Sequence, residues 1–172
     1  MSKWPIFVAL LALAALVAGA FGALANQIGY SVGASYFHDM KFIEAGLSEA
    51  LQNRLGASLV GLREGGRLGL LVSLPACVMG LLMIRSRQTY FSSGLSAIGV
   101  AVVIALACAM AGLTLGMIAP AYTADRPIPE TVTDTDSFLR AAMMQQGAFV
   151  GALIAVPVAL WAMWRGAQSD PA

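Results

Sequence analysis

Four long apolar stretches decide what this chain can fold into. They run from Trp4 to Ala25, Gly66 to Ile84, Gly94 to Ile118 and Ala141 to Trp164. A helix crossing a bilayer needs about 20 mainly apolar residues, and each stretch is close to that. In lipid every backbone N–H and C=O must be satisfied within the segment, which favours helix. Composition leaves no soluble alternative: hydrophobic residues are 59% of the chain and charged ones only 11%, with a mean hydropathy of +0.78. A water-soluble protein has too little polar surface at this ratio to cover its apolar groups. The expectation is an all-α integral membrane protein, a four-transmembrane-helix bundle forming one domain over residues 1–172. Its outer loops fall at 26–65 and 119–140.

The first stretch has a competing reading. Ala23-Leu24-Ala25 resembles a leader-peptidase site, but the apolar run exceeds the usual signal core of about 7–15 residues, so it reads as a retained span. The second stretch continues outward as helix through Ser58–Gly65, which puts Arg63, Glu64 and Arg67 at headgroup level, where long side chains can snorkel. Pro120 ends the third, and Arg165 with Gly166 stops the fourth.

Lys3, Arg85, Arg87 and Arg165 share one side, and Arg85 and Arg87 sit in a very short loop where the positive-inside bias acts most strongly. Both termini are therefore expected in the cytoplasm. Six other basic residues, from Lys41 to Arg140, are spread over the longer opposite loops among acids. Trp4, Tyr90, Phe91, Trp161 and Trp164 fall near the inner interface and Tyr30, Tyr36 and Tyr122 near the outer one, as amphipathic rings do.

Helices in lipid associate through close contact of small residues. The candidate packing positions are Gly19 on the first span, Gly65 and Gly69 on the second, Gly112 and Gly116 on the third, and Gly147 and Gly151 on the fourth. Ala15 and Ala23 extend the face of Gly19, and Gly61 that of Gly65. Pro75 and Pro157 each remove a helix donor and bend their spans. Cys77 and Cys108 lie in apolar runs, read as small core residues. Gln145 and Gln146, near the outer end of span four, are expected to bond loop backbone or a neighbouring helix.

The segment 26–57 is too long for a simple turn. Ile28, Tyr30 and Val32 alternate with small or polar residues, which suits an extended piece. Ser35 then offers an N-cap. Phe37, Met40, Ile43, Leu47, Leu51 and Leu55 recur at helical spacing, predicting an amphipathic outer cap of one or two helices, broken at Gly46 with Ser48 capping the second. Asn26, Gln27, Tyr30, Tyr36, Phe37, His38 and Lys41 form the candidate outer interaction surface. In the second outer loop, Asp136 or Ser137 could cap span four.

The run Asn26-Gln27-Ile28, Tyr30-Ser31-Val32, Tyr36-Phe37, Lys41-Phe42 and Arg54-Leu55-Gly56-Ala57 resembles a group of uncharacterised bacterial membrane proteins with about four spans. The resemblance implies a bacterial inner membrane and assigns no function.

Chemistry is sparse. His38 is the single histidine, and a metal or haem site would need further ligands at suitable spacing. No phosphate loop, dinucleotide fingerprint, nucleophile elbow or zinc motif is present, so no catalytic, metal or cofactor-binding residue and no cofactor is expected. A net charge of +1 without a basic block argues against nucleic acid. The expected partners are the lipid bilayer and other membrane-protein subunits. The leading expectation is a non-catalytic accessory or stabilising subunit of a larger membrane complex. The alternatives are an oligomeric transport or channel component, and a small outer-surface enzyme or redox helper centred on His38, Asp39 and Lys41.

Overall fold

A computed structural model describes residues 2–118, 128, 132 and 134–170. Its main elements are four helices long and apolar enough to cross a membrane: α1 (Trp4–Val32), α4 (Arg54–Met83), α5 (Arg87–Ile118) and α6 (Thr135–Gln168). Between α1 and α4 lie α2 (Ala34–Tyr36), a π-turn (Phe37–Lys41), α3 (Phe42–Ala45) and a 3-10 turn (Glu49–Leu51). The protein is an all-α four-span bundle, and its helices run well past the apolar stretches.

Each extension has a local cause. Pro5 sits in the first turn of α1, where a missing N–H costs nothing and φ is already helical. The expected extended piece at Ile28–Val32 is instead the last turns of α1, closed where the Gly33 N–H donates to the Gly29 carbonyl at 2.9 Å. The helix α4 does continue outward past Ser58, starting at Arg54, because Asn53 caps it: its Oδ1 accepts from the Leu55 N–H at 2.9 Å and the Gly56 N–H at 3.2 Å. The span-four cap is Asp134, not Asp136 or Ser137, with Oδ1 accepting from the Ser137 N–H at 3.1 Å. The helix α5 begins at Arg87, with Ser86 Oγ accepting from the Thr89 N–H at 3.3 Å. The proposed loop 26–65 is therefore shortened by helix on both flanks, and the loop 119–140 on its later flank by α6. Much of the second loop, with Tyr122, lies outside the described residues.

Consecutive spans pair into two antiparallel hairpins, α1 with α4 and α5 with α6. Backbones touch along both seams. A Cβ on Gly69 would stand 2.7 Å from the Ala14 carbonyl oxygen, and one on Gly151 2.8 Å from Ala105 Cα. The hairpins meet at both ends and at Val72, Ala152 and Ala155 between them. At the inner end Leu10, Ala76, Cys77, Tyr90, Ala97 and Met163 form one core. At the outer end Gly33 lies against Ser137 and Ala141. Pro75 and Pro157 both fall inside helices. Tyr90 is not an interfacial ring: it is fully buried and its hydroxyl donates to the Cys77 carbonyl at 2.9 Å. Trp4, Phe91, Trp161 and Trp164 are exposed. Cys77 and Cys108 are both free thiols.

The cap folds onto the outer ends of α1, α4 and α6. Tyr36, Phe37 and Phe42 pack with Ala57, Val60 and Phe138 in one buried cluster. Tyr36 meets Phe138 edge-on at 5.3 Å between ring centroids and Phe37 at 5.4 Å. Gly46 ends the helical stretch in a left-handed conformation, φ 65°, which glycine adopts without the Cβ penalty. Ser35 is not an N-cap. It lies inside α2, with its hydroxyl 3.1 Å from that of Ser137. Ser48 precedes the 3-10 turn but makes no side-chain capping bond.

Candidate functional site

The close approach of Gly22 to Gly61, and of Gly65 to Ala18, sets the register of α4 against α1. Gly65 meets α1 at Ala18, about seven residues, or roughly 10 Å, inside Ala25, where the apolar run of α1 ends. Glu64 and Arg67 flank Gly65. Measured along α1, these charges lie level with its apolar run, while on α4 they stand at the outer edge of the run that begins at Gly66. Side chains on a helix lean toward its N-terminus, which for α4 is the outer end. The ionisable groups thus lean outward from that edge.

They open into a cavity of about 1010 Å³ between the hairpins. Its walls are largely apolar: Val17 and Phe21 from α1, Leu68 and Val72 from α4, Ala101 and Val102 from α5. Phe149 and Ala152 of α6 close a further side. The polar lining comes from Asn26, Tyr36, Lys41, Glu64, Arg67, Ser73, Gln145 and Gln146. Neither Pro75 nor Pro157 lines it.

The cap supplies Lys41. Because Phe37 and Phe42 are anchored in the aromatic cluster, the π-turn between them presents the Lys41 ammonium to α4. Its Nζ donates to Glu64 Oε1 at 3.1 Å and Oε2 at 3.2 Å, with Glu44 a further 3.7 Å partner. Single π-turns inside helices recur at functional sites. Arg67 makes no hydrogen bond or ion pair with a described residue.

A polar junction stands at the cavity's outer end. Asn26, 3% exposed, is the one buried polar side chain among the described residues. Its amide donates to the Ala57 carbonyl at 2.9 Å, and its Oδ1 accepts from Gln145 Nε2. One side chain thereby joins α1, α4 and α6. Gln27 Nε2 donates to the Arg54 carbonyl and to Ser58 Oγ, each at 2.6 Å.

The residues proposed as one outer interaction surface therefore separate. Asn26, Tyr36 and Phe37 are buried, and Gln27 is tied to α4. Lys41 turns to Glu64, while Tyr30 and the exposed His38 remain at the rim, the Tyr30 hydroxyl 2.9 Å from His38 Nε2. No hydrogen bond joins His38 to Asp39 or Lys41 among the described residues, and no group of three metal-ligating side chains is gathered there.

The seven candidate packing glycines lie on the two seams. Gly19 faces Leu62, Gly65 faces Ala18, and Gly69 faces Ala14 and Ala18. Gly112 and Gly116 face Met143 and Arg140, and Gly147 and Gly151 face Cys108 and Ala105. On α1 the line of contact runs through Ala14, Ala18 and Gly22, one residue off the Ala15-Gly19-Ala23 face. Gly22 is the position that sequence reasoning missed, although it stands one turn from Gly19. The Glu64–Lys41 contact was also missed, since nothing in the spacing brings the cap to α4. No known protein family, curated protein or solved structure matches this chain.

Proposed function

We propose that this chain is a non-catalytic membrane protein that binds an amphiphilic solute between its hairpins, as a binding or transport component. The observation that carries the reading is the 1010 Å³ cavity. Ligand pockets run about 300–1,000 Å³, mostly apolar with a few placed polar groups. Ionisable residues beside apolar spanning length are costly and point to function.

The test is titration of the detergent-purified protein with a fluorescent amphiphile. Ala101→Phe, which pushes a ring into the cavity, should weaken binding at least ten-fold while the unfolding temperature holds. Unchanged binding by that variant sinks the proposal. Solute flux after reconstitution then separates a carrier from a simple binder.

The accessory-subunit reading has separate support in Ile43 and Leu55, exposed by 67% and 60% near the outer end, where a partner subunit would cover them. Purification in mild detergent from native membranes should then yield stoichiometric companions. A lone chain or homo-oligomer counts against it.

The proposed setting is a bacterial inner membrane with both termini cytoplasmic. Its support is the gathering of basic residues at one end: Lys3 Nζ donates to the Leu81 and Ile84 carbonyls, next to Arg85 and Arg87. A cysteine added at the C-terminus should resist impermeant thiol reagents in intact spheroplasts; ready labelling would reverse the orientation.

A further inference from the structure

The cavity is polarised along its length. Toward the outer end stand Asn26, Lys41, Glu64, Arg67 and Gln145, while its inner part is walled by side chains such as Val72, Ala97 and Ala101. A guest that fits both ends has one polar head and one apolar tail, with the head outward.

The charges specify the head. Both carboxylate oxygens of Glu64 accept from Lys41, at 3.1 and 3.2 Å, and Glu44 stands 3.7 Å from the same ammonium, so Lys41 is already engaged by carboxylates. Arg67 lines the same cavity with no ion pair or hydrogen bond to a described residue. Its guanidinium is the cationic group of the lining left open to a guest. In surroundings of low dielectric an unpaired charge is costly and a matched one strongly attracted. A guanidinium presents a fork of donors that fits a carboxylate or phosphate oxygen pair.

Resting on the cavity reading above, we propose that the site selects an amphiphile with a single anionic head, carboxylate or phosphate ester, held by Arg67. The tail lies toward Val72 and Ala101. Asn26 and Gln145 stand at the outer rim with their amides engaged by one another, so discrimination by charge falls to Arg67.

The experiment is native mass spectrometry of the delipidated full chain in detergent, titrated separately with phosphatidylglycerol, phosphatidylcholine and oleate. The wild type should bind an anionic amphiphile at least ten-fold more tightly than phosphatidylcholine. A preference for phosphatidylglycerol identifies a bilayer lipid as the source, and one for oleate a free fatty acid. Arg67→Gln should erase the preference while phosphatidylcholine binding persists, and Arg67→Lys should keep part of it. Because Arg67 is exposed and makes no internal bond, neither variant removes a fold contact, and the unfolding temperature checks this. Equal binding of charged and zwitterionic lipids by the wild type, or an unchanged preference in Arg67→Gln, overturns the proposal. If Ala101→Phe abolishes binding in that case, the cavity reading survives it. If no amphiphile binds at all, both readings fall.

Discussion

At the scale of single residues, hydrogen atoms in place of side chains do much of the structural work. Gly22 and Gly61 face each other so closely that a Cβ on either would overlap the carbonyl of the other. Backbone cannot move aside as a side-chain tip can, and overpacking of this kind costs about 1–3 kcal/mol. Gly61→Val should lower the unfolding temperature in detergent by several degrees, whereas Gly99→Val, at a glycine with open space around it, should leave it unchanged. Asp170 acts at the other end. Its carboxylate accepts from the Ser86 N–H at 3.0 Å and the Arg85 N–H at 2.6 Å. The Ser86 bond first, then that of Arg85, holds its pKa below the ordinary value. A group depressed in the folded state adds stability above its unfolded pKa, and that contribution is lost as pH falls through the folded value. Amide exchange at Arg85 and Ser86 should therefore quicken only below the usual carboxylate range near pH 4. Asp170→Asn should quicken it already at neutral pH.

At the scale of elements, the spans were legible and their outer ends were not. Apolar runs of bilayer length are a strong signal because lipid forbids unsatisfied backbone. Beyond the runs the pattern turns misleading. Asn26, Gln27, Tyr30 and Ser31 look like the start of a loop, yet their polar groups bond to α4, to α6, to their own helix or to the cap. Gln27 reaches the Arg54 carbonyl and Ser58, and Ser31 Oγ donates to the Gln27 carbonyl at 2.8 Å. The α4 partners of Asn26 and Gln27 lie 27 to 31 residues away and Gln145 119, outside any local window. The same reason hid the candidate site: Lys41 and Glu64 are 23 positions apart and on different elements. The glycine seams were easier to read, because each small residue reports on its own helix. Asn26 makes the sharpest test at this scale. Asn26→Leu would leave the Gln145 amide and the Ala57 carbonyl without their partner. Interhelical hydrogen bonds in membranes are worth about 0.6–2 kcal/mol, so a modest loss of thermal stability is expected. A gain would show that the leucine packs better than the asparagine bonds.

At the scale of the whole molecule, the two hairpins differ in how they are held from how they hold each other. Within a hairpin, backbone meets backbone at Gly22–Gly61 and at Gly147–Cys108. Between hairpins, Gly33 against the Ser137 carbonyl is a backbone contact at the outer end, and elsewhere side chains meet: Leu10 against Gly94, Tyr90 and Met163 against Gly80, and Val72 with Ala152 and Ala155. The cavity lies between the pairs, lined in part by the seam residues Ala18, Gly22, Gly61 and Gly65. Cavity-filling substitutions such as Ala101→Phe therefore bear on the side-chain contacts between the hairpins.

The seams join spans that are neighbours in the chain, and this bears on biogenesis. As the ribosome feeds the membrane, residues 4–83 can zip into their final embrace while α5 and α6 are still untranslated. Asp170, just past α6, ties that second pair back to Arg85 and Ser86, at the hinge where the two halves join.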